Sequence, residues 1–311
     1  MARRFRKSVR AKEVRRELLP GQSTELLRHL GLLDAEGNLH ADSRRKLKQV
    51  NHLVRLLEPA LEDLFARHQA PVLVDAGAGN AYLGFVLYEL FLAPAGRGEL
   101  WCIEQNRTLI EQVAERAFHL GYDRVRTVLS DIAASEMPER VHLLTALHAC
   151  DTATDDALLR AIELGVDYVA VVPCCQAEVA RQLAALQGPQ LRAPSLRQLW
   201  RHAWHRREFG AHLTNVVRAL VLEAHGYKVT VTELTGWEHS LKNELILGRR
   251  VHRDNLRARR ALRGLLREIP VRPHLVEALG LAPGPEAGRD AGKTEQRASR
   301  AAAAEGAESK G

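Results

Sequence analysis

Residues 71–88 read Pro-Val-Leu-Val-Asp-Ala-Gly-Ala-Gly-Asn-Ala-Tyr-Leu-Gly-Phe-Val-Leu-Tyr, and they carry the strongest fold signal in the chain. The short Val-Leu-Val run predicts a strand buried in a parallel sheet. The strand ends at Asp75, and Gly77 and Gly79 lead directly into an apolar helix. Glycines at such a turn let the backbone approach a ligand closely, and the helix N-terminus suits a nucleotide-like ligand. The third glycine of the dinucleotide-binding fingerprint is absent, because Tyr82 takes its position.

Downstream of this stretch, short apolar runs alternate with helical patterns. Strands that alternate with helices predict a doubly wound parallel sheet with right-handed crossovers. A closing pair of strands after five strand–helix units departs from a plain Rossmann domain and suits a mostly parallel, seven-stranded sheet. The further strands are predicted at Glu99–Glu104, Arg124–Leu129, Val141–Leu147, Asp167–Val172, Lys228–Leu234 and Glu244–Leu247.

Positive charge is concentrated in two segments. The chain has 45 Lys and Arg against 38 Asp and Glu, a net charge of +7. Residues 1–16 hold eight Lys or Arg and one acid, and residues 249–267 hold eight Arg and one Asp. Clustered arginine is the electrostatic footprint of a polyanion partner, most often RNA or DNA. A solvated arginine-rich surface without a partner is the alternative.

These patterns divide the 311 residues into five parts, and the 46% apolar content supports a substantial core. The 282–311 segment contains no large apolar residue, so it cannot bury enough surface to offset its ordering entropy. No secretory signal or bilayer-spanning run is visible and cysteine is scarce, which predicts a reducing, cytoplasmic location. The parts are a basic arm over 1–22, a helical region over 23–68, an α/β domain over 69–250, a basic helical extension over 251–281 and a disordered tail over 282–311.

The predicted strand ends collect polar residues. In an open α/β sheet a ligand binds beyond the carboxyl ends of the strands. An acid that closes the second strand can accept hydrogen bonds from both hydroxyls of a ribose, and an acid after the third can accept from an adenine amino group. Such a set suits S-adenosylmethionine (SAM), with the glycine loop beneath its amino-acid end, although each acid alone could equally be a cap. The predicted cofactor-binding residues are Asp75, Gly77, Gly79, Glu104 and Asp131.

Two later segments carry a resemblance to known proteins. Residues 146–155 read Ala-Leu-His-Ala-Cys-Asp-Thr-Ala-Thr-Asp, and residues 173–175 read Pro-Cys-Cys. With the glycine loop, Lys46–His52 and residues 238–243, they resemble a widespread bacterial family of class I SAM-dependent methyltransferases, over roughly residues 40–250. The resemblance implies a Rossmann-like class I methyltransferase fold with a helical N-terminal addition, and SAM as the cofactor of the α/β domain.

The His-Ala-Cys-Asp segment also resembles the eukaryotic tRNA acceptor-stem 2′-O-methyltransferase, which reads His-Leu-Cys-Gly-x-Ala-Thr-Asp and then Cys-Cys-His. Ala149, Asp151 and Gln176 depart from that pattern, and the zinc-finger module of that enzyme is absent. With the arginine clusters, this similarity favours RNA, either tRNA or rRNA, as the substrate. Methyl transfer to a protein or a small molecule is one alternative, and a non-catalytic RNA-binding protein on the same fold is another.

The atom that receives the methyl group depends on which side chain acts. No Asn/Asp-Pro-Pro-Tyr segment follows the fourth strand, which argues against methylation of a base amine. For a ribose hydroxyl, the favoured acceptor, the candidate bases are His148, Asp151 and Lys242. For C5 of a pyrimidine, Cys174 would add to C6 as a thiolate. His148, Cys150, Cys174 and Cys175 are residue types that bind zinc, but no C-x-x-C pair is present and no metal site is predicted.

A basic aromatic segment follows the Pro-Cys-Cys segment. Its aromatic rings can stack on bases and its guanidinium groups can bind phosphates. An amphipathic helix with its aromatic residues in the core is the alternative. The residues are Trp200, Trp204 and His205 among Arg197, Arg201, Arg206 and Arg207.

Overall fold

A computed structural model of the chain describes residues 9–147, 149, 151–173, 176–186, 194–234 and 244–282. Its centre is a seven-stranded sheet with the order β3-β2-β1-β4-β5-β7-β6, in which only β7 pairs antiparallel to its neighbours. The strands are β1 Val72–Ala76, β2 Glu99–Glu104, β3 Val125–Leu129, β4 Leu143–Leu147, β5 Tyr168–Val172, β6 Tyr227–Glu233 and β7 Glu244–Arg250. The predicted Rossmann-like fold with a mostly parallel seven-stranded sheet is confirmed.

Helices cover both faces of the sheet. Side chains alternate along each strand, so that Leu73 and Leu143 join one apolar cluster while Val74 and Leu144 join the other. None of the helices in the described ranges is long and apolar enough to cross a membrane. The helices are α1 Thr24–His29, α2 Ala41–Arg67, α3 Tyr82–Leu87, α4 Ala93–Ala95, α5 Arg107–His119, α6 Ala153–Leu164, α7 Glu178–Ala185, α8 Ala203–Ala224, α9 Leu256–Glu268 and α10 His274–Ala278.

The N-terminal helices pack on the face of the sheet that α3 and α5 also cover. Part of the predicted basic arm packs there as well, because Ala11–Glu17 form a 3₁₀ helix whose Val14 is buried. The side-chain amide of Asn51 in α2 donates to the carbonyl of Glu17 at 3.0 Å, which fixes this turn against the long helix. Residues 1–8 and 283–311, which include nearly all of the predicted tail, lie outside the described residues.

Asp75, at the carboxyl end of β1, is a buried junction of three elements and is 3% exposed. The hydroxyl of Thr145 in β4 donates to its Oδ1 at 3.0 Å, and the N–H of Gly84 in α3 also donates to the carboxylate. A Cβ on Gly84 would lie only 3.1 Å from Asp75 Oδ2, so the glycine allows this close approach. Burial, although opposed by these hydrogen bonds, raises the pKa of Asp75 to about 7.

The raised pKa of Asp75 makes the stability of the protein depend on pH. The folded state holds this proton up to about pH 7, whereas the unfolded chain releases it near pH 3.8, so stability falls as the pH rises through this window. The Asp75→Asn variant is neutral at every pH. Between pH 5 and pH 8 we expect it to lose less stability than the wild type, by on the order of 2 kcal/mol.

Urea unfolding at the two pH values measures this difference. Glu62→Gln, on the exposed side of α2, removes a carboxylate that makes no buried contact and should follow the wild type. An Asp75→Asn protein with the same pH dependence as the wild type would show that Asp75 titrates normally.

Candidate active site

The loop after β1 is sharply bent and tied to β2. Gly77, Gly79 and Ala81 have positive φ angles of +69°, +54° and +54°. Glycine adopts such angles without steric cost, which explains the spacing of the two glycines. The N–H groups of Gly77 and Ala78 both donate to the carbonyl of Ile103 at 2.9 Å. The loop therefore has a defined shape above the carboxyl end of the sheet.

Loops after three strands meet above Gly77. A Cβ built on Gly77 would lie 3.6 Å from Ile132 Cδ1 and 3.9 Å from Ala149 Cβ. Ile132 follows β3 and Ala149 follows β4, and both are buried. A Cβ built on Gly79 would meet no atom within 4 Å. The loop thus combines apolar neighbours at one glycine with open space at the other, as expected of a ligand site at this edge of the sheet.

Glu104, the last residue of β2, supports the glycine loop. Its Oε2 accepts from the N–H of Gly79 and its Oε1 from the N–H of Asn106, both at 2.9 Å. Each carboxylate oxygen keeps a further lone-pair direction, so Glu104 can also accept two ligand hydroxyls without releasing these donors. The loop backbone and this acceptor fit the ribose and amino-acid parts of SAM.

The two other predicted acids of the cofactor site lie in different environments. Asp131 is exposed, and its Oδ1 accepts from the N–H of Ala134 at 2.7 Å, while its Oδ2 has no partner within the described ranges. Next to it, the N–H of Ser130 donates to the carbonyl of Glu104 at 3.1 Å. Asp75 instead lies beneath the loop with its carboxylate already hydrogen-bonded, an arrangement that suits support of the loop rather than contact with a ligand.

Asp151, one of the predicted bases, caps the N-terminus of α7. Its Oδ1 accepts from the N–H groups of Ala177 and Glu178 at 3.1 and 3.4 Å, and its Oδ2 lies 3.2 Å from Arg181 Nη2. Partial burial would raise the pKa of Asp151, but these donors outweigh it and lower the pKa. A carboxylate with a lowered pKa is a weak proton acceptor, so the geometry favours a positioning role.

The remaining predicted catalytic residues, His148, Cys174 and Lys242, lie outside the described residues, as do Cys150 and Cys175. The strands before two of these segments are adjacent, because Leu147 at the end of β4 pairs with Val172 at the end of β5. β7 pairs with β5 and begins at the same edge, directly after the segment that contains Lys242. All three segments therefore adjoin neighbouring strand ends.

A buried arginine that the sequence analysis missed links these segments. Arg218 in α8 is 1% exposed, and its Nε and Nη2 donate to the two carboxylate oxygens of Asp155 at 2.7 and 3.0 Å. Its Nη2 also donates to the carbonyl of Asp151 at 2.9 Å. The ion pair therefore fixes the loop between β4 and α6 against α8.

Asn215, one turn before Arg218, extends this network to β5 and β7. Its Oδ1 accepts from Arg218 Nη1 at 3.3 Å and from Gln176 Nε2 at 3.2 Å, and its Nδ2 donates to Glu244 Oε2 at 3.0 Å. Asn215 and Arg218 stand three residues apart on one face of α8. This three-residue spacing is the only sign of the buried network in the sequence. It could not reveal the network, because polar residues on an exposed helix face show the same spacing.

His68, His142 and Asp167 form a cluster of potential metal ligands at the opposite, amino edge of the sheet. The N–H of Val72 donates to His142 Nδ1 at 2.9 Å, and Arg140 pairs with Asp167 at 2.7 Å. Burial lowers the pKa of His142 to about 4. His68 Nε2 lies 3.1 Å from Asp167 Oδ2, and neither atom has a hydrogen-bond partner among the described residues. The cluster joins α2 to the sheet at the edge opposite the glycine loop.

Residues 45–182 match a protein-family model described as a methyltransferase domain. No curated protein sequence matches the chain significantly. Among solved structures, an rRNA methylase from Streptococcus thermophilus is 10% identical with a TM-score of 0.42, over 64% of this chain and 96% of that chain. The SAH-bound methyltransferase PaMTH1 of Podospora anserina is 14% identical with a TM-score of 0.42, over 75% of this chain and 90% of that chain. Precorrin-6y C5,15-methyltransferase from Geobacter metallireducens is 14% identical with a TM-score of 0.39, over 63% of this chain and 88% of that chain.

The names of these structures include both rRNA and precorrin methylation, so they single out no substrate. The match over 45–182 spans the glycine loop, the acid of the second strand and the two motif segments. The mostly parallel, seven-stranded sheet agrees with the predicted class I methyltransferase fold. The methyltransferase-domain match over residues 45–182, together with the sheet, indicates SAM-dependent methyltransferase activity.

Proposed function

We propose that this enzyme transfers the methyl group of SAM to RNA, either tRNA or rRNA, in the cytoplasm, with a ribose 2′-hydroxyl favoured over C5 of a pyrimidine. The placement of the motif segments carries the proposal. Residues 146–155 and 173–175 resemble the tRNA acceptor-stem 2′-O-methyltransferase, and they begin side by side at the edge that holds the glycine loop. The excess of basic residues adds the charge that a polyanionic substrate requires.

The residues at this edge divide the binding of SAM among them. Glu104 accepts from the ribose hydroxyls, and Asp131 accepts from the adenine amino group beside the apolar side chain of Ile132. Gly77 and Gly79 let the loop backbone lie against the amino-acid end. SAM supplies an electrophilic methyl group on a sulfonium, so the protein has only to place the acceptor oxygen in line and remove its proton.

Proton removal at the ribose falls to His148 in this scheme. Imidazole is the most common general base near neutral pH, and that of His148 can take a proton as the oxygen–methyl bond forms and the methyl–sulfur bond breaks. Lys242 is the second candidate base. Asp151, whose carboxylate binds the N-terminus of α7, positions the segment that carries His148.

The proposal is tested with methyl-labelled SAM and separate RNA, protein and small-molecule fractions from cells that lack the gene. We expect label in one RNA species. His148→Ala should lower the rate by about 100-fold or more, the usual loss of a general base, while Cys174→Ala stays near the wild type. A large loss of rate in Cys174→Ala with a near-normal rate in His148→Ala would instead indicate methylation at C5. Label only in protein or small molecules would contradict the RNA proposal. SAM affinity, measured by calorimetry, controls for folding.

The role of Glu104 predicts a loss of SAM affinity in the Glu104→Gln variant. Gln keeps one acceptor oxygen but loses the charge, so we expect Kd to rise about 10- to 100-fold. A SAH analogue that lacks both ribose hydroxyls separates ribose recognition from support of the loop. It should bind the variant and the wild type almost equally, whereas an equal loss for both ligands would mean that Glu104 acts only through Gly79.

The buried network predicts that Arg218 positions the catalytic loops. In Arg218→Lys the charge remains, but a single ammonium cannot reach Asp155, the Asp151 carbonyl and Asn215 together. We expect kcat to fall about 10-fold at saturating SAM and RNA, well below the unfolding temperature, with the Kd for SAM unchanged. Arg160→Lys, on the more exposed side of α6, is the matched control. A destabilised Arg218→Lys protein with normal kcat would show a purely structural role.

A further inference from the structure

The N-terminal half of α8 extends beyond the edge of the sheet that carries the candidate site. Asn215 lies level with this edge, because it bonds to Gln176 after β5 and to Glu244 at the start of β7. Trp204 is eleven residues nearer the helix N-terminus, which at 1.5 Å per residue is about 16 Å farther along the axis. We call residues 194–207 the basic overhang; they contain four Arg and no acid.

A cavity of about 360 Å³ lies between α7 and the basic overhang. Three arginines border it, and no acidic side chain in the described part of the chain pairs with any of them, whereas the neighbouring Arg207 pairs with Glu208. Unpaired like charges around one cavity repel each other, and a bound anion would relieve this repulsion. The lining residues are Leu183, Ala184, Leu186, Arg197, Gln198, Trp200, Arg201 and Arg206.

The buried indole of Trp200 forms part of the wall of the cavity. Trp200 lines the cavity and is 2% exposed, yet its Nε1 donor has no hydrogen-bond partner among the residues that the structure describes. A buried donor without an acceptor is costly. The ring stacks on Phe209 at 5.4 Å, which holds the indole in place.

An exposed aromatic platform lies on the same overhang. Trp204 is 57% exposed, and the guanidinium of Arg207 lies 4.3 Å from its ring centre. An exposed indole face beside a guanidinium is a suitable surface for an unpaired base, since stacking on an aromatic side chain tolerates any sequence. Phosphate binding and base stacking within one segment are the two contacts that single-stranded RNA makes with proteins.

We propose that the basic overhang is the RNA-docking surface: Arg197, Arg201 and Arg206 hold a backbone phosphate in the cavity while Trp204 stacks on an unpaired base. This inference rests on the proposed function and assigns the surface that serves it. The arginine-rich helix α9 begins at the other edge, because the N–H of Asn255 donates to the carbonyl of Ala224 at the end of α8. RNA on the overhang lies on the side of the glycine loop, whereas α9 begins near the amino edge.

The test compares two triple variants with equal loss of charge. Arg197→Ala/Arg201→Ala/Arg206→Ala removes the cavity arginines, and Arg253→Ala/Arg257→Ala/Arg260→Ala removes three exposed arginines near the amino edge. Affinity for tRNA and rRNA fractions is measured by filter binding over a range of salt concentrations. We expect the cavity variant to bind about 30-fold more weakly and to lower the salt slope by about 1, as the loss of one phosphate contact requires, with a change below about 3-fold in the control.

Two more variants separate the contacts from the fold. The Arg→Lys triple variant of the cavity keeps the charge and should recover most of the affinity. Trp204→Ala should lower the affinity for single-stranded RNA about 10-fold and should change the affinity for fully paired RNA little. SAM affinity should stay unchanged in every variant.

The outcomes distinguish this surface from the proposed function. An equal loss of RNA affinity in both triple variants would mean that net charge alone attracts the RNA, and it would overturn the docking surface. RNA methylation by the wild type with full RNA affinity in the cavity variant would overturn the surface and leave the function standing. Absence of RNA binding by the wild type, with label only in protein or small molecules, would overturn both.

Discussion

The buried ion pair between Arg218 and Asp155 is the interaction on which the arrangement at the carboxyl edge depends. Both side chains are at most 2% exposed, and their removal from water is offset by two charge-assisted hydrogen bonds. The same guanidinium reaches the Asp151 carbonyl and Asn215. α8 therefore cannot shift without moving the loop that follows β4, and the candidate site and the basic overhang keep a fixed relation.

The two edges of the sheet differ in backbone strain. Ala81 and Asp151 are the non-glycine residues with positive φ within the described ranges, and both lie in loops at the carboxyl edge, as do Gly77 and Gly79. Strained backbone persists where surrounding contacts hold it, and it concentrates at functional sites. The amino edge instead carries hydrogen-bonded groups such as His142, which close the sheet against α2.

Local sequence patterns predicted the strands because a short apolar run between turn residues usually forms a buried strand in an α/β chain. The glycine loop and Glu104 also occupy the predicted strand ends. Asp151 shows the limit of such patterns: a carboxylate beside a histidine indicates a base, but the N-terminus of α7 and Arg181 bind it. Those donors lie some 26 to 30 residues away in the chain, so no local pattern could reveal them.

Local patterns predicted the succession of strands along the chain, the glycine loop, the motif segments and the surplus of arginine, since each depends on residues close together in the chain. These patterns did not distinguish a buried arginine from one at the carboxyl edge, because that difference arises from packing between distant elements. Arg207 and Arg218 lie on the same helix, yet one is exposed and the other is buried against Asp155, 63 residues away. Burial depends on which element packs against each face of the helix, and the identity of a residue does not reveal that element.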